Sequence, residues 1–343
     1  MLSAGRLTNR GKLLDASVAI QRALAGAGVM SPAPTRPRAA PDGGRAAGVA
    51  TPVDGTRFSR SSFTGAGGTR AFKLYVPDAG AGTALPLVVM LHGCTQNPDD
   101  FATGTRMNAL AEAHGFAVLY PEQAVRSNVN RCWNWFAPDD QKRGSGEPAL
   151  IAGMVRHVAE THAVDADRIY VAGLSAGGAM AAILAHEYAD LFAAAGVHSG
   201  LPAGAAHDVA SAFAAMKSGP VGRAATPSAV SSPVIVFHGS ADATVAPANG
   251  DAVIAAALAG TSRPVRSPAP LPAVARRSAR RFVWHAEGAA PEAPSLAEQW
   301  LVDGAPHAWS GGAAAGSYTD PGGPDASAEM LRFFLDHPRR PHS

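Results

Sequence analysis

Short, continuous apolar runs alternate with helix-forming segments from about residue 70 onward, and few architectures accommodate that alternation. RAFKLYV (70–76), LPLVVMLHG (85–93), FAVLYP, RIYVA, PVIVFHG (233–239) and EQWLVDG (298–304) read as strands, and FAAAGVH (192–198) is a further apolar run. MNALAEAHG (107–115) reads as a helix stopped by its glycine. PALIAGMVRHVAETH reads as a helix with Pro148 at its first position, and Ala176 to Glu187 and ASAEMLRFFLDH complete the helical set. Strands apolar on both sides need cover on both faces. The expected fold class is therefore α/β, a mostly parallel sheet flanked by helices.

The folded body is expected to begin near Arg57. Before it, Leu13, Leu14, Val18 and Leu24 lie near helical spacing, which predicts one amphipathic helix over 13–25, and residues 31–55 are rich in proline and glycine. This divides the chain into an N-terminal helix and linker, 1–55, and one folded α/β domain, 56–338. Two stretches interrupt the pattern: the Ala/Gly-rich 203–230, and 261–295 with its prolines and the basic run RRSARR, read as a solvated insertion.

The chemistry is concentrated at strand ends. GLSAGG (173–178) follows the apolar run of Ile169, Tyr170 and Val171 and precedes a helix, so Ser175 sits on a strand-to-helix turn of the G-x-S-x-G type. In such a turn the serine hydroxyl stands above the sheet, and as a nucleophile it needs a base, an acid and oxyanion donors. Reactive groups in open α/β sheets gather beyond the carboxyl ends of the strands. There, SADATV after PVIVFHG supplies Asp242, and APHAW after EQWLVDG supplies His307. Taken singly, the first is an ordinary turn residue and the second a surface histidine. The chain order Ser175, Asp242, His307 is that of α/β-hydrolase triads.

The loop LHGCTQN (91–97) is positioned to complete an oxyanion hole with the backbone N–H groups of Cys94 and Ala176, while His92 shapes the loop without moving protons. Cys94 also raises the possibility of a thiol nucleophile. The preferred reading pairs it with the other cysteine, Cys132 in NRCWNWF, as a disulfide; two free thiols are the alternative in a cytosolic setting. Trp133, Trp135 and Trp309 fall in the surrounding loops, as an aromatic wall for substrate or as packing.

A net charge of +2 with scattered Lys and Arg offers nucleic acid no footprint. Twelve histidines form no motif of metal-ligand spacing, so neither a metal nor another cofactor is expected. No apolar run is long enough to span a membrane, and the basic N-terminus lacks the apolar core of a secretory signal, so the sequence specifies no export route. Oligomeric state is likewise not legible.

LHGCTQNPDDFA, RCWNWF, GEPALIAGMV, RIYVAGLSAGGAMA, DLFAAAGVHSGLPAGAAHDVASAF, FHGSADATVAPAN and HAWSGG together resemble the polyhydroxybutyrate depolymerase-type esterases, over residues 70 to 337. The resemblance implies hydrolysis of short-chain polyhydroxyalkanoate esters or their oligomers, with Ser175, Asp242 and His307 as the triad. It also implies an extracellular setting, which agrees with a disulfide. Pro306 departs from the family, whose members usually have glycine there. No substrate-binding domain is read after the last helix, so soluble oligomers are expected to be better substrates than crystalline polymer. The alternatives are a feruloyl or acetylxylan esterase and, from another class, a catalytically silent protein that binds polyester surfaces. A serine peptidase fits less well, since nothing in the sequence suggests a gating domain.

Overall fold

A computed structural model describes residues 57–65, 67–78, 83–220, 231–271, 276–290 and 293–339. The helix expected over 13–25 and the linker over 31–55 lie outside these residues.

Ten strands form one sheet in the order β1-β2-β4-β3-β5-β6-β7-β10-β9-β8. Its centre is β3 (Leu85–Leu91), β4 (Ala117–Pro121), β5 (Val164–Leu174), β6 (Ala194–His198), β7 (Val234–Gly239) and β10 (Ala297–Val302), with neighbouring strands paired in parallel. Antiparallel strands finish both sides: β1 (Phe58–Gly65) and β2 (Gly68–Tyr75) on one, β9 (Ala279–His285) and β8 (Val265–Pro268) on the other. A two-residue pair, β11 (Trp309–Ser310) and β12 (Thr319–Asp320), stands apart from the sheet.

Alternation within the central strands divides the core in two. Leu87, Val89, Leu91, Val171, Val197 and Val236 point to one face, where α3 (Gly146–Thr161), α4 (Ala176–Glu187), α5 (Val209–Ser218) and α6 (Ala248–Leu258) contribute the cover. Val88, Met90, Tyr170, Ile235 and Phe237 point to the other, against α1 (Pro98–Thr105), α2 (Met107–His114) and α7 (Ala326–Leu335). Both faces are dry, which is why these strands read as unbroken apolar runs. Helix α4 is buried from Ala176 through Ala185, and its small residues allow it to lie close on β5 and β6. Among the described residues no helix is long and apolar enough to cross a membrane.

Several elements depart from the sequence reading. The supposed solvated insertion at 261–295 supplies β8 and β9. Three of its arginines are paired: Arg277 with Asp320 at 2.6 Å, Arg281 with Glu298 at 3.0 Å and Arg280 with Asp303 at 3.5 Å. These charges on and before β9 mask its apolar alternation. Within 203–230, α5 starts from a reciprocal cap in which Asp208 accepts from Ser211 N–H and the Ser211 hydroxyl accepts from Asp208 N–H. Pro148 is the third residue of α3, which begins at Gly146 after Ser145. Helix α1 starts from an Asn97 side-chain cap with Pro98 at its first position, a signal present in TQNPDD.

Trp300 of β10 tests the core. It is fully buried, stacks on Phe237 at 5.1 Å and donates its indole N–H to Glu298 at 2.6 Å. Trp300→Ala should lower the free energy of urea unfolding by about 3–5 kcal/mol. Val265→Thr on the exposed edge strand should change it by no more than about 0.5 kcal/mol. Equal effects from the two would contradict the assigned core.

Candidate active site

The turn at Ser175 depends on two glycines. A Cβ on Gly173 would run into the backbone of Gly177, and one on Gly177 would run into the carbonyl oxygen of Leu91. Without them α4 could not start so close to β3 and β5. Ser175 itself sits at φ 59°, ψ −119°, a region that side-chain-bearing residues rarely occupy. Its N–H donates to the His198 carbonyl at 2.9 Å and its carbonyl accepts from Ala179 at 2.9 Å, so both flanking peptide groups are tied down.

Asp242 lies in the turn after β7 with its side chain out of solvent. One oxygen accepts from the N–H groups of Thr244 at 2.9 Å and Val245 at 2.8 Å, and the other accepts from Nδ1–H of His307 at 2.7 Å. Burial pushes this carboxyl up, but the His307 hydrogen bond and charge, the Val245 amide and His238 together hold it below the usual aspartate value of 3.8. It is therefore ionised at neutral pH. Because Nδ1 of His307 carries the proton that Asp242 receives, Nε2 is left as the basic nitrogen. The loop bearing His307 is drawn in by Ala241 N–H, which donates to Ala305 at 3.1 Å, and Gly239 leaves no room for a Cβ beside Ala305 and Pro306.

His198, at the end of β6, connects the serine turn to the histidine loop. Its carbonyl accepts from Ser175, and its Nε2 accepts from Ser310 N–H at 2.9 Å. Its ring stacks between Phe237 at 5.8 Å and Trp309 at 5.0 Å. Burial, with repulsion from His238 and His307, lowers it to about 3, so it stays neutral. His238 is also buried and lowered by that burial; its Nε2–H donates to Val245 at 2.9 Å and lies 3.6 Å from Asp242. The sequence reading gives neither a role, although each sits at the close of an apolar strand.

The segment after β3 passes directly beside the serine. A Cβ on Gly93 would stand 3.7 Å from that of Ser175. Among the described residues the N–H groups of Cys94 and Ala176 find no protein acceptor, as oxyanion donors require. His92 donates from Nδ1 to Gly93 at 2.8 Å and accepts at Nε2 from Gln123 N–H at 3.1 Å, and burial lowers it to about 4, in agreement with a shaping role. Gln96 was not foreseen. Its side-chain oxygen accepts from Gly93 N–H at 2.9 Å while its amide donates to Asp100 at 2.9 Å. A disulfide joins Cys94 to Cys132, and Thr95 N–H donates to Asn130 at 2.6 Å, so the same loop is held from a second side. With Cys94 in that bond, a thiol nucleophile is ruled out.

The aromatic wall is corrected. Trp133 is fully buried with its indole N–H on the His92 carbonyl at 3.1 Å, Trp135 packs edge-on against Phe136, and Trp309 donates to Ser327 at 3.0 Å beneath His198. All three rings are buried and pack beneath the loops.

The esterase PHB depolymerase profile matches residues 70–262, more than half of the chain. The chain belongs to that family. It is 41% identical over 201 residues to a poly(3-hydroxyalkanoate) depolymerase C from Paucimonas lemoignei, covering 54% of this chain and 47% of that one. It is 37% identical over 140 residues to feruloyl esterase B of Thermothelomyces thermophilus, covering 40% and 47% of the two. To acetylxylan esterase A of Emericella nidulans it is 30% identical over 199 residues, covering 52% and 63%. The chain thus spans about half the length of the first two relatives. An acetyl xylan esterase from Aspergillus awamori superposes with a TM-score of 0.61 at 20% identity, over 81% of this chain and 99% of that one, and shares the fold. The α/β-hydrolase architecture of this esterase family is therefore present here.

Two outcomes follow from the site. The disulfide closes a separation of 38 residues, and replacing both cysteines by serine should lower unfolding free energy by about 4 kcal/mol; an unchanged urea midpoint would contradict a bracing role. Asp242 has a depressed folded value, so its stabilisation is fully present above 3.8 and is lost as pH falls through the folded value. The stability difference between wild type and Asp242→Asn should accordingly shrink on acidification through that range. A difference that grows instead would show that the carboxylate is not held ionised.

Proposed function

We propose that the chain is a serine carboxylic ester hydrolase whose catalytic unit is 56–338. The observation that carries this reading is the buried, ionised Asp242 bonded to Nδ1 of His307, on a loop tethered through His198 to the strained turn of Ser175. In this mechanism Nε2 of His307 takes the proton of Ser175 Oγ as the oxygen attacks the ester carbonyl. The oxyanion of the tetrahedral intermediate accepts from the N–H groups of Cys94 and Ala176. The intermediate collapses as His307 returns the proton to the departing alkoxide, leaving an acyl-enzyme. Water, deprotonated by His307, then attacks that acyl group, and as the acyl–oxygen bond breaks His307 returns the proton to Ser175 Oγ, releasing the acid and the free serine.

The substrate class we favour is the ester of short-chain 3-hydroxyalkanoates, as polymer or oligomer. The greater identity to a poly(3-hydroxyalkanoate) depolymerase than to the feruloyl and acetylxylan esterases supports it. Those relatives make plant-wall esters the second reading. A silent surface binder is disfavoured, because binding alone has no use for an ionised acid, an oriented base and two unpaired N–H groups. The disulfide supports an oxidising, extracellular setting.

Ser175→Ala should fold normally and lose about 10⁴-fold or more in turnover of p-nitrophenyl butyrate; near-wild-type turnover would sink the assignment. Initial rates on 3-hydroxybutyrate oligomers, amorphous polyhydroxybutyrate, methyl ferulate and acetylated xylan, at equal enzyme concentration, test the substrate class. Oligomer hydrolysis should be the fastest, and a faster ferulate or xylan reaction would transfer the assignment to the second reading.

A further inference from the structure

The oxyanion segment rests on a buried polar network that the chemistry above leaves unused. Glu147, the second residue of α3, is buried. Its carboxylate accepts from the main-chain N–H of Asn134 at 2.7 Å, from the Asn134 side-chain amide at 2.9 Å and from the side-chain amide of Gln123. Gln123, just beyond β4, is fully buried. Its main-chain N–H donates to His92 Nε2 at 3.1 Å, and its side chain also donates to the Cys132 carbonyl at 2.9 Å. Trp133, next to Asn134, donates to the His92 carbonyl at 3.1 Å. One carboxylate thus gathers the two segments that grip His92 on one side of Gly93 and the Cys132 end of the disulfide on the other.

We propose that Glu147 is a positioning residue for ester hydrolysis, setting Gln123 and Asn134 and through them the His92–Cys94 segment that presents an oxyanion donor to Ser175. This inference rests on the esterase reading. The arrangement does not follow from packing alone, because a glutamine or methionine of similar size would fill the space without desolvating a charge. Three converging N–H donors select an acceptor with two free oxygens.

The charged surroundings make the brace sensitive to pH. Arg70 of β2 lies 3.9 Å from the Glu147 carboxylate and donates to Gln123 at 3.2 Å. Asp140 accepts from Glu147 N–H at 2.7 Å, with Asp139 next to it, and Arg126 acts on Arg70. Burial first, then Asp140, raises Glu147 to about 7, against the lowering by Gln123, Asn134 and Arg70. With the folded value raised, protonation stabilises the fold fully below the ordinary 4.5, and that contribution is lost as pH rises through about 7. Ionisation works the other way on the network. The carboxylate accepts all three donors, whereas the acid must turn an O–H toward one of them. The oxyanion segment is therefore held best on the alkaline side of this transition.

Glu147→Gln is the direct test, with active sites counted by phosphonate titration of Ser175. Three quantities are read: kcat and KM for p-nitrophenyl butyrate, and affinity for a trifluoromethyl ketone whose serine adduct carries an oxyanion. Per titrated site, kcat should fall about 10- to 100-fold and ketone affinity should fall with it, while KM stays within about twofold. The ratio of wild-type to variant kcat should also decline as pH falls through about 7. Values of kcat and ketone affinity within twofold of wild type, a change confined to KM, or lost stability with normal kcat per site would each overturn the inference. If Glu147→Gln does not fold, Asn134→Ser, which removes one donor to the carboxylate, should show the same signature at about 3- to 10-fold; its absence is equally decisive. A wild-type protein without ester turnover removes the esterase reading and this inference together, whereas an active wild type with an unaltered variant removes this inference alone.

Discussion

Backbone contact between the start of α4 and the ends of β3 and β5 is the constraint from which the rest of the site follows. Only hydrogen occupies the space where Gly173 and Gly177 face each other and the Leu91 carbonyl. That closeness forces the chain to reverse within one residue, and the residue it strains is Ser175. It also brings the segment leaving β3 alongside the serine. The strained serine turn and the closeness of that segment are thus products of a single packing event.

Around this contact the protein uses buried imidazoles in two ways. His92 and His198 are held neutral by burial and spend Nε2 accepting from a backbone N–H, fixing segments that lie outside the ten-stranded sheet. A main-chain donor would be costly to bury unpaired, and a neutral imidazole is a compact acceptor for it. His307 is differently placed. Its Nδ1 side meets an ionised aspartate, which fixes the tautomer and would stabilise positive charge on the ring. The same side chain serves as scaffold or base according to what faces its nitrogens.

The central sheet, α2, α4 and α7 were legible because their patterns are local: unbroken apolar runs, a stop glycine, a run of small helix formers. So were Ser175, Asp242 and His307, since each follows a strand whose apolar run is unmistakable. The two edges were not. FSRSSFTG and the basic 276–285 stretch carry polar residues on faces that meet solvent or carboxylates, which weakens the alternation that betrays a strand. His198 and Glu147 were missed for another reason. Their partners lie at Ser310, Gln123 and Asn134, and nothing at the sequence positions of the two residues announces those contacts. The tryptophans stayed open between wall and packing because a loop position in sequence does not say which way a ring turns once the loop is packed.

The division of the site among strand ends also bears on how the protein acquires it. The serine turn follows β5, the aspartate β7, the histidine β10 and the oxyanion segment β3, with β6 lying between β5 and β7. No contiguous stretch contains the set, and the serine turn and the aspartate are each bonded to a residue at or beyond the end of a different strand. A chain with half its sheet paired would have native-like backbone signals and no assembled chemistry. Assembly of these groups is in that sense all-or-none, a property of the completed sheet that neither half can show in part.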